Sequence, residues 1–221
     1  MKRLLGLFLL LSALAILSGC KQKTTEPQPP ETPSASSSAS FKLTALGDSL
    51  TEGLGVEPNE AYPAQLQARL QAAGMPWQVI NAGLSGETSS GARTRLPWVL
   101  KTEPQAVLLV TGANDGLRGL DPAITEDNLD AIVAELKSRN IKVMIAGMKT
   151  PPNLGTDYGT KFESIYPRVA QKHSVPLIPF FLEGVARDPE LNQEDGKHPT
   201  AAGYTRIVDN IFEDVKNWLE S

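Results

Sequence analysis

The chain has 221 residues, 41% of them apolar and 21% charged, a balance that allows one core of ordinary size and argues against a wholly disordered or fibrous protein. Its formal charge is −4, and an acidic chain lacks the basic surface that neutralises phosphates, which argues against a nucleic-acid binder. One cysteine and two histidines, His173 and His198, exclude an intrachain disulfide and leave too few ligands for a Cys/His zinc cluster.

The first twenty residues read MKRLLGLFLLLSALAILSGC. Lys2 and Arg3 precede an apolar run over 4–17, which is shorter than the ~20 residues a bilayer-spanning helix needs and reads as the core of a signal peptide. The run ends in Leu17-Ser18-Gly19-Cys20. This resembles the bacterial lipobox, in which the cysteine is acylated and becomes the first mature residue. Residues 21–40, KQKTTEPQPPETPSASSSAS, hold no Val, Ile, Leu or aromatic residue and cannot bury enough apolar surface to offset their ordering entropy. The expected organisation is a signal peptide over 1–19, a lipidated Cys20 with a disordered tether over 20–40, and one folded domain over 41–221. Acyl chains on Cys20 would hold the protein on a membrane face without spanning it. The expected location is the bacterial cell envelope, with the domain facing the periplasm or the exterior.

From residue 41 the pattern alternates. A short apolar-rich run over 41–46, closed by Gly47, predicts a buried strand. Residues 61–73 place Tyr62, Leu66 and Leu70 on one helical face. Strands follow over 77–82, 105–110, 141–148 and 175–180, the run over 105–110 nearly continuous in apolar side chains, as in a strand covered on both faces. After Asp121-Pro122, Leu129, Ile132, Val133 and Leu136 keep the i, i+3, i+4, i+7 spacing of an amphipathic helix. A last helix from Ala201, capped by Thr200, turns Tyr204, Ile207, Val208, Ile211, Val215 and Trp218 or Leu219 inward. Strands alternating with helices predict an α/β domain, a central parallel sheet of about five strands with helices on both faces. Ligands of such sheets bind outside the carboxyl ends of the strands.

Four segments at or near those ends carry chemistry-bearing residues: Gly47-Asp48-Ser49-Leu50, Asn81-Ala82-Gly83-Leu84-Ser85-Gly86-Glu87-Thr88, Gly112-Ala113-Asn114-Asp115 and Asp195-Gly196-Lys197-His198-Pro199. A serine hydroxyl is a weak nucleophile that needs a base within hydrogen-bond reach. Ser49 sits in a tight turn, and His198 is the better of the two candidate bases. Asp195, three residues before His198, can curl back onto the other ring nitrogen, fixing the tautomer and stabilising the imidazolium. A developing oxyanion needs preorganised donors; Gly86 can offer a backbone N–H, Asn114 a side-chain amide and Ser49 its own N–H. Asp48 reads as a turn-former, Ser85 and Thr88 as loop hydrogen-bonders, His173 as a cation at a helix end, and Trp77, Trp98 and Trp218 as packing residues.

Taken together, GDSLTEG, NAGLSGETSSG, GANDGLRGLDP and DGKHPTAAGY resemble the blocks of the SGNH (GDSL-type) hydrolase family, and the resemblance covers nearly all of residues 41–218. It lies nearest the bacterial multifunctional thioesterase I/lysophospholipase and arylesterase branch. The resemblance implies a flavodoxin-like three-layer α/β/α sandwich. It implies Ser49 as nucleophile, His198 as base, Asp195 as its orienter, and Ser49, Gly86 and Asn114 as the oxyanion hole. The implied substrate is a small-molecule ester or thioester with a short to medium acyl group, shaped by loops over 116–122 and 150–158. No G-x-S-x-G elbow of the α/β-hydrolases is present. Two other readings share these residues. One is a carbohydrate O-deacetylase, which the same fold also hosts. The other is a binding lipoprotein without catalysis, although Gly53-Leu54-Gly55 is followed by Pro58 where a dinucleotide loop wants glycine. Nothing in the sequence points to a metal or organic cofactor, and nothing fixes an oligomeric state.

Overall fold

The computed structural model describes residues 41–221; the expected signal segment, Cys20 and the tether lie outside the described residues. The chain runs β1 (Phe41–Gly47), α1 (Ser49–Glu52), α2 (Tyr62–Ala72), β2 (Trp77–Gly83), α3 (Ser89–Leu100), β3 (Ala106–Val110), α4 (Ala113–Leu117), α5 (Pro122–Ser138), β4 (Lys142–Ala146), a 3-10 turn (Pro152–Leu154), α6 (Thr156–Glu163), α7 (Ile165–His173), β5 (Leu177–Ile178) and α8 (Ala201–Glu220). The five strands form one sheet in the order β2-β1-β3-β4-β5, and every neighbouring pair is parallel. This is the expected α/β sandwich.

Sheet order decides where a site can form. The chain steps from β1 outward to β2, then returns to the other side of β1 for β3, so the strand order reverses between β1 and β3. Loops diverge there and open a crevice at the carboxyl ends. Register brings those ends level: Gly47 lies opposite Gly83 of β2 and opposite Val110 of β3. The residues that follow each strand therefore emerge along one edge.

Helices cover the sheet in two groups, α2 with α8 and α3 with α5 and α7. Ala106, Val107, Leu108, Leu109 and Val110 are all fully buried, as a strand covered on both faces requires. In α8 Tyr204, Ile207, Val208, Ile211 and Val215 are buried as expected, and so are both alternatives, Trp218 and Leu219, each worth roughly 1.5–3 kcal/mol for a large apolar side chain. Thr200 caps that helix, its hydroxyl accepting from Gly203 N at 3.2 Å.

Among the departures from the sequence reading, three bear on packing. The fifth strand is two residues long rather than the expected 175–180. Pro176 and Pro179 have no N–H to give a ladder, and only Leu177 and Ile178 pair with β4. Helix α3 has no counterpart in the sequence reading, because Gly91 and Pro97 lie inside it and both lower helix propensity. It forms on tertiary terms: Ala92, Leu96 and Val99 are buried on one side, and their burial offsets the ~3 kcal/mol that an interior proline costs. The third departure is Trp98, which does not pack. It is 68% exposed on α3, with the Lys101 ammonium 3.6 Å from its ring centroid. Trp77 and Trp218 are buried as expected.

Candidate active site

Ser49 is the first residue of α1, two positions past the end of β1. Asp48 shapes the turn before it, its Oδ1 accepting from Leu50 N at 3.0 Å, so the turn-forming role read from the sequence holds. Ser49 Oγ lies 2.8 Å from His198 Nε2. On the far side of the ring, His198 Nδ1 lies 2.5 Å from Asp195 Oδ2. The three side chains make one hydrogen-bonded line from the hydroxyl to the carboxylate.

The loop that carries Asp195 and His198 is fixed by its own backbone. Gln193 N donates to His198 O at 2.8 Å and Thr200 N to Leu191 O at 2.9 Å. Gln193 Nε2 donates to Leu54 O at 2.7 Å, which ties this loop to the turn after α1. Asp195 Oδ1 accepts from Lys197 N at 2.9 Å and from His198 N at 3.0 Å. Desolvation works to raise the Asp195 carboxyl, but the N–H groups of His198 and Lys197 and the His198 ring outweigh it and hold it down at about 2. Asp195 is therefore a fixed carboxylate beside the imidazole.

Gly86 lies in the loop after β2 at φ +76°, a left-handed conformation that glycine adopts without strain. Its carbonyl accepts from Arg118 Nη2 at 2.9 Å. The backbone N–H groups of Gly86 and Ser49 have no protein acceptor among the described residues, so both are free to serve a ligand. Asn114, on α4 after β3, directs its amide nitrogen to Glu87 O at 3.0 Å and to Asp48 Oδ2 at 3.3 Å. The structure thus brings Ser49, Asn114 and His198 to the wall of one groove of about 560 Å³. Asp195 stands behind His198, and Gly86 belongs to the adjoining loop; neither is on the groove lining.

Leu117, Thr150 and Pro151 of the two expected loops line the groove. Met148, Phe180, Leu182 and Arg187 also line it, from segments after β4 and β5 that the sequence reading did not single out. Thr88 caps α3 by accepting from Gly91 N at 3.4 Å. Ser85 donates from its backbone N to Glu52 at 2.7 Å and also from its hydroxyl. His173 closes α7 and bonds Asp130 at 2.7 Å, away from the groove.

Behind the site lie polar contacts that go beyond the sequence reading. Asp48 is 1% exposed, and burial, partly countered by Leu50 N–H, His198 and Asn114, pushes its carboxyl up to about 6. Asp115 is fully buried and accepts from Ser89 N at 2.8 Å, Ser89 Oγ at 2.5 Å and Thr125 Oγ1 at 3.2 Å, which fixes the helix that carries Asn114. Glu87 forms a two-point ion pair with Arg95, both contacts at 2.6 Å. The Asp115–Ser89 contact joins segments 26 residues apart, which no local spacing announces, and the eight-residue separation of Glu87 and Arg95 matches no helix pair of the i, i+3 or i, i+4 kind.

Residues 45–206 match the GDSL-like lipase/acylhydrolase family. The chain is 38% identical to an "Esterase TesA" of Pseudomonas aeruginosa over 182 residues, 82% of this chain and 90% of that one. It is 39% identical over 172 residues to the "Thioesterase 1/protease 1/lysophospholipase L1" of Escherichia coli K12, 77% of this chain and 81% of that one. Among solved structures, the psychrotrophic esterase EstA from Pseudoalteromonas sp., inhibited by monoethylphosphonate, superposes with a TM-score of 0.77 at 33% identity, covering 81% of this chain and 99% of that one.

Proposed function

This chain belongs to the GDSL-like lipase/acylhydrolase family, and from that premise we propose that it hydrolyses carboxylic esters or thioesters of small molecules through an acyl-enzyme on Ser49. The observation that carries the reading is the line Ser49 Oγ–His198 Nε2 at 2.8 Å and His198 Nδ1–Asp195 Oδ2 at 2.5 Å, placed at the strand-order reversal where this sheet type binds ligands. The names of the relatives, esterase and thioesterase/lysophospholipase, support the bond class.

The geometry gives each group one task. His198 Nε2 takes the Ser49 proton as Oγ attacks the substrate carbonyl carbon. Asp195, held ionised, keeps Nδ1 protonated and stabilises the imidazolium that results. The carbonyl oxygen becomes an oxyanion and accepts from the open N–H groups of Ser49 and Gly86 and from the Asn114 amide, which exchanges its long 3.3 Å bond to Asp48 for this acceptor. When the tetrahedral intermediate collapses, His198 returns the proton to the departing alkoxide or thiolate. Water then attacks the acyl-Ser49 with His198 again as base. The acyl group lies along Leu117, Met148, Phe180 and Leu182 of the groove, where each buried CH₂ adds ~0.8 kcal/mol.

The proposal extends to the N-terminal segment: Cys20 carries acyl chains that anchor the enzyme in the bacterial cell envelope, with the domain facing the periplasm or the exterior, which would restrict it to substrates within reach of that membrane surface. Its support is the LSGC sequence after a short apolar run. Full-length protein should partition with membranes, and Cys20→Ser should release it.

The test of the activity is turnover of aryl esters and acyl thioesters of graded chain length by the full-length chain, with Ser49→Ala alongside. Turnover that rises with chain length to a maximum and is abolished by Ser49→Ala is the expected result. Turnover that survives Ser49→Ala overturns the reading.

A further inference from the structure

We propose that Arg95 is the positioning residue of the oxyanion hole, acting through Glu87; this rests on the reading of Gly86 and Asn114 given above. Arg95 lies on α3, outside every motif that announces the site. Its guanidinium joins three segments at the sheet edge. Nε and Nη2 grip the two oxygens of Glu87, each at 2.6 Å. Nη2 also donates to Ala82 O at 2.8 Å, at the end of β2, and to Gly47 O at 3.2 Å, two residues before Ser49.

Glu87 passes that fixation to the donors. It follows Gly86 directly, so holding its side chain holds the peptide that joins the two residues. Its carbonyl accepts the Asn114 amide at 3.0 Å, so the same residue also sets where that amide sits. The Glu87 side chain is only 3% exposed, and a buried carboxylate with one guanidinium partner has few alternative positions. Gly91 makes room for it: a Cβ there would come within 2.8 Å of Glu87 Cγ. Arg95 thus stands behind all three donors and touches none of the reacting atoms. Lysine cannot substitute, since one ammonium lacks the planar fork that meets a carboxylate at two points while reaching two carbonyls.

A residue that only holds the fold would change stability and leave the chemical step alone. A residue that positions transition-state donors changes kcat at nearly constant KM. The experiment compares Arg95→Lys, the paired apolar swap Glu87→Leu/Arg95→Met, and Asn114→Ala in the full-length chain. It reads kcat and KM for an aryl ester per titrated active site, together with Tm. The swap removes both charges, so no unpaired carboxylate is left buried to unfold the protein. The expected result is a roughly 10–100-fold loss of kcat in Arg95→Lys and in the swap, with KM within about 3-fold. Combining Arg95→Lys with Asn114→Ala should cost less than the product of the two separate losses, as for residues acting through one device. If Asn114→Ala loses activity while folded Arg95→Lys and the folded swap keep kcat within about 2-fold of the parent, the proposal is overturned and the hole stands. It is overturned equally if both variants fail to fold, or if the Arg95 and Asn114 losses simply multiply. If Asn114→Ala is itself unaffected, the hole reading fails and this inference falls with it.

Discussion

Asn114 Nδ2 lies 3.3 Å from Asp48 Oδ2, so the amide assigned to the oxyanion leans on a carboxyl that is 1% exposed. Asp48 also caps the turn that presents Ser49. One buried side chain therefore touches both the turn that presents Ser49 and the amide proposed for the oxyanion.

Asn114→Ala removes that donor. The expected loss is about 10²–10³ in kcat, or ~2.7–4 kcal/mol of transition-state stabilisation, as for single hole donors elsewhere. Circular dichroism should show the fold retained. Unchanged kcat in the folded variant would remove Asn114 from the mechanism.

Asp48 predicts a pH-dependent stability. Its carboxyl, raised from 3.8 to about 6 by burial, binds its proton more tightly folded than unfolded. Its favourable contribution is complete below pH 3.8 and is lost as the pH rises through about 6. Above that, the buried charge costs on the order of 3 kcal/mol at 1.36 kcal/mol per unit. Asp48→Asn should therefore raise the denaturation midpoint at pH 8 and gain much less at pH 4. An equal effect at both pH values would show that Asp48 is not the titrating group.

Asp195, held at about 2, remains a carboxylate from pH 4 upward, so its charge beside the His198 ring is present across that range. Asp195→Asn should lower kcat by about 10⁴ through loss of the correct tautomer. Unchanged kcat in the folded variant would contradict Asp195 as the group that orients His198.

Asp115 accepts three hydrogen bonds at zero exposure, from two atoms of Ser89 and from Thr125. Asp115→Ala leaves those donors unsatisfied, and each buried orphan costs about 1–3 kcal/mol. The expected outcome is a fall of several degrees or more in Tm. A Tm unchanged within a degree would show that the network contributes little.

What the sequence made legible follows from how local each signal is. Asp195 and His198 are three residues apart and meet within one loop, and Ser49 follows a strand end that the apolar run marks. Helix α8 shows its buried face as a plain periodicity. Arg95 and Glu87 could not be paired in advance, because α3, with Gly91 and Pro97 inside it, shows no clear period. Its register is set by the strands beneath. Phe180 and Leu182 reach the groove from the segment after a two-residue strand, where prolines blur the end of the element. Residue type alone suggests packing for Trp98, whereas its exposure depends on which side of α3 meets the core.

A Ser49 nucleophile activated by His198 should be open to covalent capture. The full-length protein would be treated with an alkyl fluorophosphonate and weighed intact, then mapped by peptide mass spectrometry. One adduct per chain is expected, on Ser49, lost in Ser49→Ala and slowed greatly in His198→Ala. An adduct on another residue, or folded protein that stays unlabelled, would contradict it.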